Sequence, residues 1–176
     1  MNMLSRFHKI YFIFMLMALA TVQTSCGFHL RGAVSLPDHI TPVFLDLSSS
    51  DDGLGRGLQA LLSSSGDNVL AVSKDEAKTI LKISGVQKKQ RVVAVDDLGR
   101  AREYELNYSF HYELKNNVDS AAQSEIIKTN TVKLKRDWLF DPSSVLAVGH
   151  ERNALYDDMQ KDAARVMLRQ LAVIKQ

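Results

Sequence analysis

From Tyr104 to Leu114, apolar and polar residues alternate without a break. Tyr104, Leu106, Tyr108, Phe110, Tyr112 and Leu114 carry rings or aliphatic chains, and Glu105, Asn107, Ser109, His111 and Glu113 stand between them. A period of two belongs to a strand, whose successive side chains point to opposite faces. The segment predicts a long strand with one buried and one wet face, in a sheet that this chain covers on one side only. Residues 80–95 predict a second long strand. Its alternation changes phase near Gly85, which signals a bulge or bend. Asp96-Asp97-Leu98-Gly99 supplies a turn between the two. Residues 126–138 predict a partner strand with Val132, Leu134 and Trp138 on one side, reached through a polar loop over 116–124. A short strand is expected at 43–47, and Pro37 and Pro42 argue for an extended lead-in over 27–42.

Two segments have helical periodicity instead. Leu54, Leu58, Leu61 and Leu62 form one apolar face behind Asp51 or Asp52 as a cap. Gly53, Gly55 and Gly57 weaken its first turns, each by up to about 1 kcal/mol relative to alanine, and Gly66 is a natural stop. Asp141-Pro142 opens the last element. There Leu155, Met159, Ala163, Met167 and Leu171 recur every four residues, with Val166 and Ile174 beside them, predicting an amphipathic helix of about 20 residues or more. The order β-α-β-β-β-α predicts an α+β fold, with two helices packed on one face of a four-stranded, mostly antiparallel sheet.

The first residues follow a different pattern. Arg6 and Lys9 precede an apolar run over 10–22, and Thr24 and Ser25 lead into Cys26, the only cysteine of the chain. A membrane-spanning helix needs roughly 20 apolar residues, so this run is short for a span and reads as a signal peptide. Residues 1–25 are the expected lipoprotein signal peptide, Cys26 the lipid-attachment site, and 26–176 a single domain. Gln23 stands where a lipobox usually has leucine, so an ordinary secreted protein with one free thiol is the competing reading.

Without 1–25, Lys+Arg falls from 22 to 20 and equals the 20 Asp+Glu. Such a balance gives no support to a broadly basic nucleic-acid surface. One cysteine permits no internal disulfide, so the core must hold the fold.

The five histidines show no metal-ligand spacing, and there is no G-x-S-x-G elbow, P-loop or G-x-G-x-x-G. The glycine-rich start of the first helix lacks the lysine of a phosphate loop. Asp96/Asp97 and Asp157/Asp158 are adjacent in sequence, so their side chains diverge and make poor acid–base pairs. No catalytic set, metal or cofactor is expected, and the chain reads as a binding protein. Its suggestive residues are basic: Lys88, Lys89 and Arg91, then Arg100 and Arg102, then Lys133, Lys135 and Arg136. If their strands are neighbours, part of the sheet is locally cationic. That suits either protection of exposed strands from aggregation or a site for phosphate-bearing ligands.

Cys26-Gly27-Phe28-His29-Leu30-Arg31-Gly32 resembles the mature start of the lipopolysaccharide-assembly lipoprotein family LptE. Residues 101–106 (AREYEL) and 136–141 (RDWLFD), then Val145-Leu146-Ala147, Glu151 and Met159, extend the likeness over most of 26–172. The resemblance implies an outer-membrane lipoprotein, anchored on the periplasmic side. It would lie largely inside the lumen of the β-barrel LptD, in a translocon that places lipopolysaccharide in the outer leaflet. It also implies two helices on a four-stranded sheet, and the polar lumen of a barrel suits the wet strand face. The family's lipopolysaccharide-binding loop positions fall here on Asp97 and Val148. Arg100, Arg102 and Arg152 are the nearby cations, and Arg100 and Arg102 are the candidate ligand residues. The alternative is a generic periplasmic lipid- or protein-binding lipoprotein.

Overall fold

Four strands lie side by side in chain order: β1 (Val43–Asp46), β2 (Thr79–Val95), β3 (Ala101–Asn116) and β4 (Ile126–Leu139). Helix α1 (Asp52–Ser63) connects β1 to β2, and α2 (Val145–Ala172) follows β4. The computed structural model describes residues 35–48, 52–66, 68–118, 125–139 and 145–175. The expected signal peptide, Cys26, the 26–32 motif, Asp51 and the Asp141-Pro142 helix start lie outside the described residues. Ala33–Gln176 forms one compact unit. Among the described residues no helix is long and apolar enough to cross a membrane.

The β2–β3 pair, joined by the turn at 96–100, and the β3–β4 pair are antiparallel. β1 and β2 run parallel, with Val43 opposite Thr79. The sheet is therefore mixed. The cause lies in the connection: α1 carries the chain back along the sheet, so β2 starts in the same direction as β1, as a parallel pair requires. The far side of β1 is bridged at Val43 by Leu70.

The alternation of β3 is realised in full. Leu106, Tyr108, Phe110, Tyr112 and Leu114 are 0% exposed and face the helices. Leu54, Leu58 and Leu62 of α1 meet them from above, with Met159, Ala163, Met167 and Leu171 of α2. Each such large apolar side chain contributes roughly 1.5–3 kcal/mol by leaving water. Polar contacts fix the helix against the sheet. Tyr112 Oη donates to Gln170 Oε1 at 2.8 Å, and Tyr156 Oη donates to the Lys89 carbonyl at 2.9 Å.

The lead-in departs from its expected extended form. It turns at 38–40, where the Ile40 N–H donates to the Pro37 carbonyl at 3.1 Å. Leu36 and Ile40 enter the core, and Thr79 Oγ1 donates to the Ile40 carbonyl at 2.7 Å. Proline constrained the backbone as expected, but burial of two apolar side chains determined the path.

Gly85 carries a φ of +62°, in the left-handed region that favours glycine. The β2–β3 register shifts there, between Ser84 and Gln87. Before the bulge the odd residues Leu81 and Ile83 face the helices; after it, register assigns that side to Lys88 and Gln90, opposite Tyr108 and Leu106. The same shift turns Lys89 and Arg91 to the other face, opposite Asn107 and Glu105.

Candidate functional site

The side of the sheet away from the helices is built from the polar residues of three strands. β3 lies in the middle and contributes Glu105, Asn107, Ser109 and His111. β2 sets Gln87, Lys89 and Arg91 beside them, and β4 sets Thr131, Lys133 and Lys135 on the other flank. All of these except His111 and Thr131 line a shallow basin, open to solvent, with Glu105 toward one end.

Glu105 organises this basin. Arg91 Nε donates to its Oε1 at 2.8 Å and Arg91 Nη2 to its Oε2 at 3.1 Å, a two-pronged pair. Asn107 Nδ2 donates to Oε1 at 2.9 Å, and Lys135 Nζ approaches Oε2 at 3.5 Å. The Glu105 side chain is 12% exposed, whereas Arg91 and Lys135 are each 63% exposed. The Arg91 hydrogen bond above all, then the Asn107 amide, holds the Glu105 carboxyl down to about 2 from an ordinary 4.5. The fixed Glu105 carboxylate thus lies among four cations, Lys89, Arg91, Lys133 and Lys135, with exposed Asp137 across from it on β4. The surface is positive on balance and ordered by hydrogen bonds. Farther along, His111 sits between two hydroxyls, Nδ1 3.3 Å from Thr131 Oγ1 and Nε2 3.1 Å from Thr129 Oγ1.

The structure sorts the expected basic residues into three places. Lys89, Arg91, Lys133 and Lys135 are on the open face. Lys88 and Arg136 are on the helix side: Lys88 Nζ lies 5.9 Å from the Tyr156 ring centroid, and Arg136 Nη2 donates to Asp162 Oδ2 at 3.2 Å. Arg100 and Arg102 lie at the β2–β3 tip. There Asp96 Oδ1 accepts the N–H groups of Leu98 and Arg100 at 3.0 and 2.9 Å, and Oδ2 accepts Arg100 Nε at 2.8 Å. Those bonds, the Arg100 N–H foremost, lower the Asp96 pKa. Arg100 is thereby part of the turn, while Arg102, on β3, is exposed. Asp97 is exposed at the same tip; the Val148 side chain lies outside the described residues, and Arg152 is half-buried on α2. Leu98 and Val95 are 75% and 59% exposed, which gives the tip an apolar surface beside its charges.

Sequence patterning did not single out Glu105 as the residue that organises this face. Its position opposite Arg91 depends on the register after the Gly85 bulge. The only available signal was its place among the polar positions of the 104–114 alternation.

The family model described as "LptE: Lipopolysaccharide-assembly" matches residues 41–171, which span every strand and nearly all of α2. The chain belongs to the LptE family. The LPS-assembly lipoprotein LptE of Yersinia enterocolitica is 28% identical over 170 residues, covering 95% of this chain and 77% of that protein. Its counterpart in Pectobacterium atrosepticum is 22% identical over 167 residues, covering 95% and 87%. Among solved structures, the solution structure of lipoprotein B from Nitrosomonas europaea superposes with a TM-score of 0.63 at 27% identity, over 83% of this chain and 90% of that one. The crystal structure of rare lipoprotein B from Shewanella oneidensis has the same fold, with a TM-score of 0.59 at 22% identity, over 74% and 91%. The two helices and mixed four-stranded sheet are thus an LptE-like arrangement.

Proposed function

We propose that this LptE-family chain is an outer-membrane lipoprotein that acts by binding rather than by catalysis. It occupies the lumen of the LptD β-barrel, and the pair delivers lipopolysaccharide to the outer leaflet. The observation that carries this reading is the open face of β2–β4. It is wide, ordered and charged, the helices pack only on the opposite side, and the interior of a large barrel is polar. Family membership supports the role in lipopolysaccharide assembly. Residues 1–25 serve as the signal peptide, and Cys26 becomes the acylated N-terminus of the domain over 26–176. One acyl chain holds only marginally, so several anchor the protein. Arg100 and Arg102 at the hairpin tip meet lipopolysaccharide phosphates.

A pull-down of the acylated protein from detergent-solubilised envelopes tests the central claim. One barrel protein should accompany it stoichiometrically, through an interface larger than the roughly 1,600 Å² of a standard complex and with slow release. Recovery without a barrel, or normal surface lipopolysaccharide after depletion of the protein, would sink the reading. Mass spectrometry of the mature chain checks the anchor: a lipid-modified Cys26 is expected at its N-terminus, and a different start with a free thiol would contradict it.

A further inference from the structure

We propose that the outer edge of β4 takes up an extended segment of a partner chain as a fifth strand, and that this segment alternates acidic and apolar residues. β4 ends the sheet, and among the described residues no strand pairs with its far side. The edge is long and regular. Pairing with β3 runs from Glu103↔Leu139 to Leu114↔Lys128 without a register shift, and β4 contains no proline. Exposed edges are commonly blunted by bulges, prolines, short length or lysines; from Lys128 to Leu139 this one has only the lysines.

The backbone is correctly presented for such pairing. The Thr131 N–H is held by Asn130 Oδ1 at 2.8 Å, so it lies outside the ladder to β3. Antiparallel strands alternate between residues bonded to one neighbour and residues bonded to the other. The N–H groups of Lys133 and Lys135 therefore also point outward, and unlike that of Thr131 they can receive the carbonyls of an added strand.

Side chains specify the occupant. On the open face the edge shows Thr131, Lys133, Lys135 and Asp137, all exposed, so its cations outnumber its one acid there. On the helix side it shows Val132 and Trp138, which are buried, with half-buried Leu134 and Arg136 between them, the latter bonded to Asp162. Residues directly across a strand pair come within about 5 Å, where opposite charges stabilise and like charges repel. Acids on the added strand would meet Lys133 and Lys135, and its alternate apolar residues would lie beside Leu134. The same lysines oppose pairing between two copies of this chain, so the charge that prevents self-association selects the partner. This inference does not depend on the barrel reading, since its probe is a peptide.

The test uses the full chain in detergent and a peptide of about nine residues alternating valine and glutamate, within the usual strand length. At saturation the peptide should slow amide exchange at Lys133 and Lys135 by about tenfold or more. Lys133→Pro removes one outer N–H and leaves the β3 ladder intact, so it should abolish this protection. Lys133→Glu with Lys135→Glu keeps every backbone donor; it should weaken binding about tenfold and shift preference to a valine–lysine peptide. If Lys133→Pro does not fold, the charge-reversed pair decides the question. Equal binding of the valine–lysine peptide to the unaltered protein overturns the proposal, as does protection confined to other strands. So does slow exchange of the Lys133 and Lys135 amides before peptide is added, which would mean the chain covers its own edge. Dimers giving the same protection would mean that the occupant is a second copy.

Discussion

Gly53 in the first turn of α1 packs directly against the buried side chain of Gln160 in α2. A β-carbon at Gly53 would lie 2.8 Å from Gln160 Cδ and closer still to Oε1. The glycine that weakens α1 as an isolated helix is the one that lets α2 approach it. Gly53→Ala should cost about 1–3 kcal/mol through overpacking, despite the better helix propensity of alanine. Combining it with Gln160→Ala should recover part of that loss, because the residues are in contact and their effects are coupled. Urea denaturation of the single and double variants checks both statements; strictly additive losses would mean that the contact carries no strain.

Phe110 and His111 are adjacent on β3 and face opposite sides. Phe110→Ala should cost about 3–5 kcal/mol as a core truncation. His111→Ala should cost under about 0.5 kcal/mol in the isolated domain. Chemical denaturation separates the two, and equal losses would contradict the assignment of the faces.

The Glu105 carboxyl is held at about 2, below its ordinary 4.5. A lowered acid stabilises the folded state fully above its unfolded pKa and loses that effect as pH falls through the folded value. The protein should therefore be more stable than its Glu105→Gln variant at neutral pH. The advantage should shrink as pH falls from 4.5 toward 2, as followed by melting temperature. A pH-independent difference would mean that Arg91 does not hold the carboxylate.

At the hairpin tip, Arg100→Glu with Arg102→Glu should weaken lipopolysaccharide binding in a salt-dependent way without unfolding the domain. Because Arg100 is tied to Asp96, Arg102→Glu alone should produce the larger share of the effect. Titration at low and high salt measures it, and unchanged binding by the double variant would remove the tip from ligand recognition.

The sequence was most readable where one local pattern dominates. The 104–114 alternation identified both faces of β3, and the phase change at Gly85 marked the bulge. The α2 spacing named Met159, Ala163, Met167 and Leu171, all buried. Features that depend on how strands meet were less visible. Lys88 and Lys89, as neighbours in a strand, face opposite sides, and it is the bulge that puts Lys88 against Tyr156 and Lys89 on the open face. Glu105 joins Arg91 and Lys135 only once β3 lies between β2 and β4. Pro37 and Pro42 suggested an extended lead-in, and the burial of Ile40 follows from the core it meets.

The β2–β3 hairpin outruns its covering. Val92, Val93, Val95 and Leu98 are exposed at its far end, while Leu81, Ile83 and Leu114 at its base are enclosed. With so little apolar area buried beyond Val92, opening that end costs much less than unfolding the whole chain. The molecule therefore has two levels of cooperativity: a base that melts as one unit, and a tip that can fray and re-form while the base stays folded. Amides near 92–102 should report this tip motion, and a ligand or wall that grips the tip would be felt first as lost fraying there.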